Sequence, residues 1–187
     1  MKHTVITMLL ALSTLASHAD AQHSSYAGQE VRTIKALSAD EIRQYTGGAG
    51  MGYAQAAELN HYPGPMHVLE LADALKLTPE QLATTQQLMN QHKTEARAIG
   101  RQLIAAEEAL DRLFAAGKVT PETLAHLVMK IAGLQGEYRL SHLETHRRMQ
   151  MLLTRHQTMQ YDRLRGYAGA DAIQVSPGAH QHKIISN

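Results

Sequence analysis

Apolar and neutral positions recur at alternating spacings of three and four residues over two long stretches of the chain. The first seam runs from Leu82 through Thr85, Met89, His92, Ala96, Ile99, Leu103 and Ala106 to Leu110 and Leu113. The second runs from Leu124 through Val128, Ile131, Gln135, Tyr138, His142, Thr145 and Met149 to Leu152. That period belongs to helices that each bury one stripe. Thr78-Pro79-Glu80-Gln81 opens the first with an N-cap threonine, a proline at the first helical position, an acid beside the positive end of the dipole and a glutamine placed for a capping box. Gly117 supplies the stop, and Thr120-Pro121-Glu122 opens the second helix only a few residues later. At 1.5 Å per residue the helices reach about 55 and 48 Å. So short a connection forces them to fold back on each other, antiparallel.

Shorter elements flank this pair. Ser38-Ala39-Asp40-Glu41 is a capping box that starts a short helix, which the glycine-rich run from Gly47 to Gly52 ends. Tyr53 to Leu59 can make two turns, Pro63-Gly64-Pro65 breaks the chain, and Met66 to Leu75 can form a further helix. Leu153-Thr154-Arg155-His156-Gln157 opens one more, ending near Gly166. The predicted class is therefore all-α, a long antiparallel helical hairpin with short flanking helices. At the N-terminus Lys2 and His3 precede an apolar run from Val5 to Leu15 and the small residues of Ala19-Asp20-Ala21, the three parts of a cleavable secretory signal. Cleavage after Ala21 or after Ala19 fits. The chain thus divides into a signal (1–21), an N-terminal segment with glycine and proline breaks (22–65), the helical domain (66–167) and a polar tail expected to be disordered (168–187). No later apolar stretch approaches membrane-spanning length, so the mature protein is expected in the periplasm without a membrane span.

Composition narrows the chemistry. There is no cysteine and no tryptophan, one phenylalanine and seven tyrosines. Without cysteine there is no disulfide, no thiolate nucleophile and no zinc finger. Eighteen basic against seventeen acidic residues leave a formal charge of +1, which gives nucleic acid no electrostatic footprint. A phosphate-binding glycine loop, a Gly-x-Ser-x-Gly elbow and a His-Glu-x-x-His pair are all missing from the sequence, so no enzyme activity is expected. Twelve histidines and nine methionines stand out instead.

One pattern occurs twice. Leu77-Thr78-x-x-Gln81 and Leu153-Thr154-x-x-Gln157 each open a helix and lie at opposite ends of the hairpin, so antiparallel folding brings them together. Read locally, threonine and glutamine cap the helices and leucine packs beside them. As a pair, in an exported and cysteine-free helical chain, they resemble the LTxxQ-motif family of periplasmic stress proteins. That family includes the Spy/CpxP-like chaperones and the related zinc-resistance-associated and nickel/cobalt-sensor proteins. The resemblance covers roughly Met66 to Tyr167. It implies a cradle-like homodimer, no required cofactor, and either binding of unfolded or partly folded proteins or binding of a divalent transition metal, with a sensor kinase or metal-resistance protein as a further partner. Leucines off the seams, such as Leu88 and Leu140, also ask for cover from a second subunit, although a closed monomeric four-helix bundle would bury them too.

Two residue groups express these alternatives. For clients, Met149, Met151 and Met159 offer soft apolar contact among Arg147, Arg148 and Arg155; the competing reading places some of these methionines in the core and the arginines on a solvated face. For metal, His142 and His146 share one helical face, and a turn midway between Ala116 and Val119 puts His92 opposite Leu143, within a turn of both. Zinc, nickel, cobalt or copper could use such donors, with Glu95 or Glu144 completing the set, and His180 and His182 could add weak capture from the tail. A solvated or hydrogen-bonded histidine pair is the alternative, and a protonation switch is a third use of the same cluster.

Overall fold

The computed structural model describes residues 25–167, and the expectations for the signal, for His180 and His182 and for the rest of the tail lie outside them. Residues 25–31 form turns of their own, in which the Gln29 amide donates to the Tyr26 carbonyl at 2.9 Å. From Arg32 onward six helices follow: α1 (Ala39–Gly47), α2 (Gln55–Glu58), α3 (Pro65–Glu70), α4 (Pro79–Ala115), α5 (Pro121–Leu152) and α6 (Arg155–Arg165). No strand occurs among the described residues.

Helix ends fall where capping chemistry puts them. Ser38, Thr78, Thr120 and Thr154 each accept from the backbone amide three residues on, and in each case that residue's side chain returns a bond to the cap. Between α4 and α5, Gly117 adopts φ +63, and the Lys118 and Gly117 amides bond the Leu113 and Phe114 carbonyls. This Schellman finish turns the chain at once and fixes the hairpin. The helix expected over Met66 to Leu75 is shorter. After Glu70 the chain runs through turns, with Lys76 in the left-handed region at φ 52 and the Leu77 amide on the Ala72 carbonyl, and this course buries Leu75.

The apolar interior has two parts. Near the turn, Ala96, Ile99, Leu103 and Ala106 of α4 meet Ile131, Leu134 and Tyr138 of α5, and Ile34, Leu37 and Tyr45 lie over them. At the open end Leu88, Met149, Leu153 and Tyr161 surround Val68 and Leu75. Burying each large side chain contributes about 1.5–3 kcal/mol. The seams drift from a strict heptad as straight helices must. Leu88 and Leu134 are buried in place of Leu82, Val128 and Gln135, which face outward. Gly100 lets α1 approach α4 closely, since a Cβ there would stand 2.3 Å from the Tyr45 carbonyl oxygen.

Candidate functional site

The doubled motif forms a clasp across the open end of the hairpin. Gln81 Nε2 donates to Gln157 Oε1 and Gln157 Nε2 donates to Gln81 Oε1, both at 2.9 Å. Each amide spends its second proton on the opposite chain segment, Gln81 on the Leu152 carbonyl (3.0 Å) and Gln157 on the Leu75 carbonyl (3.3 Å). Each glutamine oxygen also accepts from its own N-cap threonine amide. Leu153 is buried and Leu77 packs beside it in the open-end core. The motif's six residues therefore cap two helices and tie them together.

Between the two apolar cores the seam is polar. His92 of α4 meets Ser141, His142 and Thr145 of α5, all buried. The imidazole centroids of His92 and His142 are 4.4 Å apart with the rings edge to face, and His92 Nδ1 lies 3.1 Å from Ser141 Oγ. Tyr138 abuts His142 at 4.7 Å, and Tyr53 stacks on its other side at 6.3 Å. His142 Nε2 is buried and has no hydrogen-bond partner. An orphaned imidazole nitrogen costs about 1–3 kcal/mol, so it asks for a reason.

The segment 47–65, a strap, leans over this layer. Tyr138 donates to the Ala49 carbonyl at 2.7 Å. Nδ1 of His146 donates to the Tyr62 carbonyl oxygen at 2.8 Å, since a carbonyl can only accept, and lies 3.6 Å from Oε2 of Glu58. Glu58 Oε1 accepts from Tyr161 (2.5 Å) and Tyr167 (2.7 Å) and faces Arg165 at 3.4 Å. His61, at φ 67, pairs with the buried Asp162 at 2.8 Å. Gly64 must be glycine-sized, because a Cβ would stand 2.9 Å from the His146 ring. Strap and hairpin enclose a cleft of about 480 Å³. His92, His142 and His146 line it, as do Met51, Met66 and Met89.

Burial holds the His92 imidazole down at about 4, with repulsion from His146 adding to it. His142 is held at about 4 by burial and then by His92 and His146, against a smaller opposing interaction with the Ala49 backbone. Both rings are neutral at pH 7, so each has one N–H and one lone-pair nitrogen. Burial also pushes the Tyr138 hydroxyl up to about 12, so it stays a donor to Ala49.

Of the residues singled out for metal, the hairpin brings His92 and His142 into contact and sets His146 one turn away, held by the strap. Among the described residues no three His, Asp or Glu side chains stand close enough together to hold a metal ion. Glu144 is engaged by Arg147 through two bonds of 2.6 Å, and Glu95 is exposed. Of the residues singled out for clients, Arg147, Arg148, Arg155 and Met151 are exposed and Met159 is half-buried. Met149 is a correction: it is fully buried in the open-end core, so it cannot touch a client. Tyr53, Glu58 and Gly64 join the site without having stood out in the sequence. The Pro63-Gly64-Pro65 break is a visible signal, but α2 is too short to show a period.

No helix among the described residues is long and apolar enough to cross a membrane. A family model described as heavy-metal resistance matches residues 46–160, so the match takes in the strap as well as the hairpin. No curated protein and no solved structure matches the chain.

Proposed function

The chain belongs to the heavy-metal resistance family, and from that membership we propose that it is a periplasmic metal-resistance protein that captures a transition-metal ion in the cleft between strap and hairpin. The observation that carries this reading is the buried, unpartnered Nε2 of His142, whose ring meets that of His92 edge to face in a cleft also lined by methionines. A ring nitrogen left unsatisfied in the interior is tolerable when it presents its lone pair to a bound cation. His142 and His92 would hold the ion, and no catalytic step is assigned. The test is a calorimetric titration of the protein with a panel of transition metals, copper and silver included. One equivalent should bind, and His142→Ala should weaken it at least tenfold while the far-ultraviolet circular dichroism stays helical. Equal binding by protein and variant would remove the cleft as the site.

A second reading rests on a different surface. Met129, Leu140 and Met151 lie exposed on the side of α5 away from α4, and Arg147 sits among them. Such an apolar face, flanked by charge, suits an unfolded client as in the LTxxQ-motif chaperones, or a second copy of the chain in a homodimer. Suppression of aggregation of an unfolded client at near-stoichiometric ratio, without nucleotide, and its loss in Met129→Lys/Leu140→Lys, would support the client reading. Unaltered suppression in that variant would exclude this face.

A further inference from the structure

Resting on the metal reading above, we propose that the cleft is built for a soft monovalent cation of the copper(I) or silver(I) class, held by His92, His142 and the thioether of Met89, in preference to zinc, nickel or cobalt. The donor inventory is the first argument. Zinc takes about four ligands and is served by thiolate, imidazole and carboxylate. No trio of His, Asp or Glu that could hold a metal exists among the described residues, and the chain has no cysteine. A copper(I)-class ion is satisfied by about two or three soft ligands, thioethers among them. Three methionines line this one cleft with the imidazoles. Met89 lies one turn before His92 on α4, so the two project from the same helix face.

Charge is the second argument. Among the described residues that line the cleft, the only carboxylate is Glu58. Its Oε1 is already taken by Tyr161 and Tyr167, with Arg165 beside it. Lys93 and Arg165 line the same cleft. Oε2 of Glu58, buried and without a hydrogen-bond partner, is the one free anionic oxygen here, and it offsets a single charge of an entering ion against two fixed cations. Since the cost of transferring an ion from water grows with the square of its charge, a monovalent ion faces about a quarter of the penalty. Thioether and neutral imidazole then suffice.

The third argument is burial. His142 is only 4% exposed and His92 8%, both on the dry side of the cleft. Zinc, nickel and cobalt also accept imidazole, but they ask for about four or more ligands, which a buried imidazole pair and one thioether do not supply, whereas a soft monovalent ion is content with these.

The full chain is titrated with silver nitrate, and in a separate anaerobic series with copper(I) against a chromophoric chelator, while methionine methyl and imidazole nitrogen resonances are recorded. One equivalent of silver(I) is expected to shift the Met89 methyl and the His142 Nε2 signals. Silver(I) should bind at least a hundredfold more tightly than zinc(II), nickel(II) or cobalt(II). Met89→Leu, which keeps the side-chain volume, should weaken silver(I) at least tenfold with an unchanged metal-free thermal midpoint, whereas Met129→Leu on the exposed face of α5 should have no effect. Tighter zinc or nickel binding that still depends on His142, or silver binding indifferent to Met89→Leu, overturns this inference and leaves the metal reading standing. Failure of every metal in the panel to bind overturns both.

Discussion

Acidification should unlock the hairpin through its two central histidines. In the unfolded chain a histidine titrates near 6.5, whereas His92 and His142 in the folded protein are held at about 4, first of all by burial. Between those values the unfolded chain binds protons that the folded protein refuses, so stability is present above about pH 6.5 and falls as pH drops toward 4. Each ring contributes a slope approaching 1.36 kcal/mol per pH unit, hence a loss of about 2 kcal/mol per ring between pH 7 and pH 5. The second proton meets the first across 4.4 Å, so the pair loses up to about 4 kcal/mol, a large share of the 5–15 kcal/mol that holds a typical domain. Urea unfolding followed by circular dichroism at pH 7, 6 and 5 measures it. The midpoint should fall steeply in the protein and much less in His92→Gln/His142→Phe, which keeps the bulk of both rings. The other histidines are the same in both chains, so the difference isolates this pair. An equal fall in protein and variant would refute the reasoning.

Other consequences are more local. Gln157→Ala removes the reciprocal amide pair and strands the Leu75 carbonyl and the Thr154 amide, so it should cost about 2–3 kcal/mol and lower the thermal midpoint by about 5–10 °C. Gly100→Ala places a methyl 2.3 Å from the Tyr45 carbonyl oxygen. Although alanine favours helix by about 1 kcal/mol, urea midpoints should show net destabilisation of about 1–3 kcal/mol. Tyr138→Phe releases the Ala49 carbonyl, and hydrogen exchange of the Tyr53 amide, which bonds Gly50, should quicken while the middle of α4 stays protected.

Much of the scaffold is legible in the amino-acid sequence. Threonine, proline and acid at Thr78 and Thr120 encode helix starts through local bonds that need no tertiary information, and the observed α4 and α5 begin there. The hairpin register follows from Gly117, and His92 lands beside Ser141 and His142, a residue or two from the expected Leu143. What stays hidden depends on contacts far apart along the chain. Nothing near Glu58 reveals that two tyrosines more than a hundred residues on will hold its carboxylate. Met149 continues the α5 seam, and its arginine neighbours alone suggest a surface role, whereas the open-end core decides its burial. A polar layer within an apolar seam is visible as His92 opposite His142. That the Nε2 of His142 has no partner is a property of packing in three dimensions.

The chain separations of these contacts also set an order of events. The Schellman turn at Gly117 closes over a handful of residues and the two imidazoles join across 50 residues of chain. The clasp spans 76, and the strap's bonds to Tyr138, His146, Tyr161 and Tyr167 span between 84 and 109. Loop-closure entropy rises with span, and distant pairings form slowly. The hairpin should therefore zip from its turn toward its open end, and the strap should settle afterwards. In a refolding experiment, helicity should return early and the capacity to bind a ligand late, because the cleft exists only once the last and longest loop has closed.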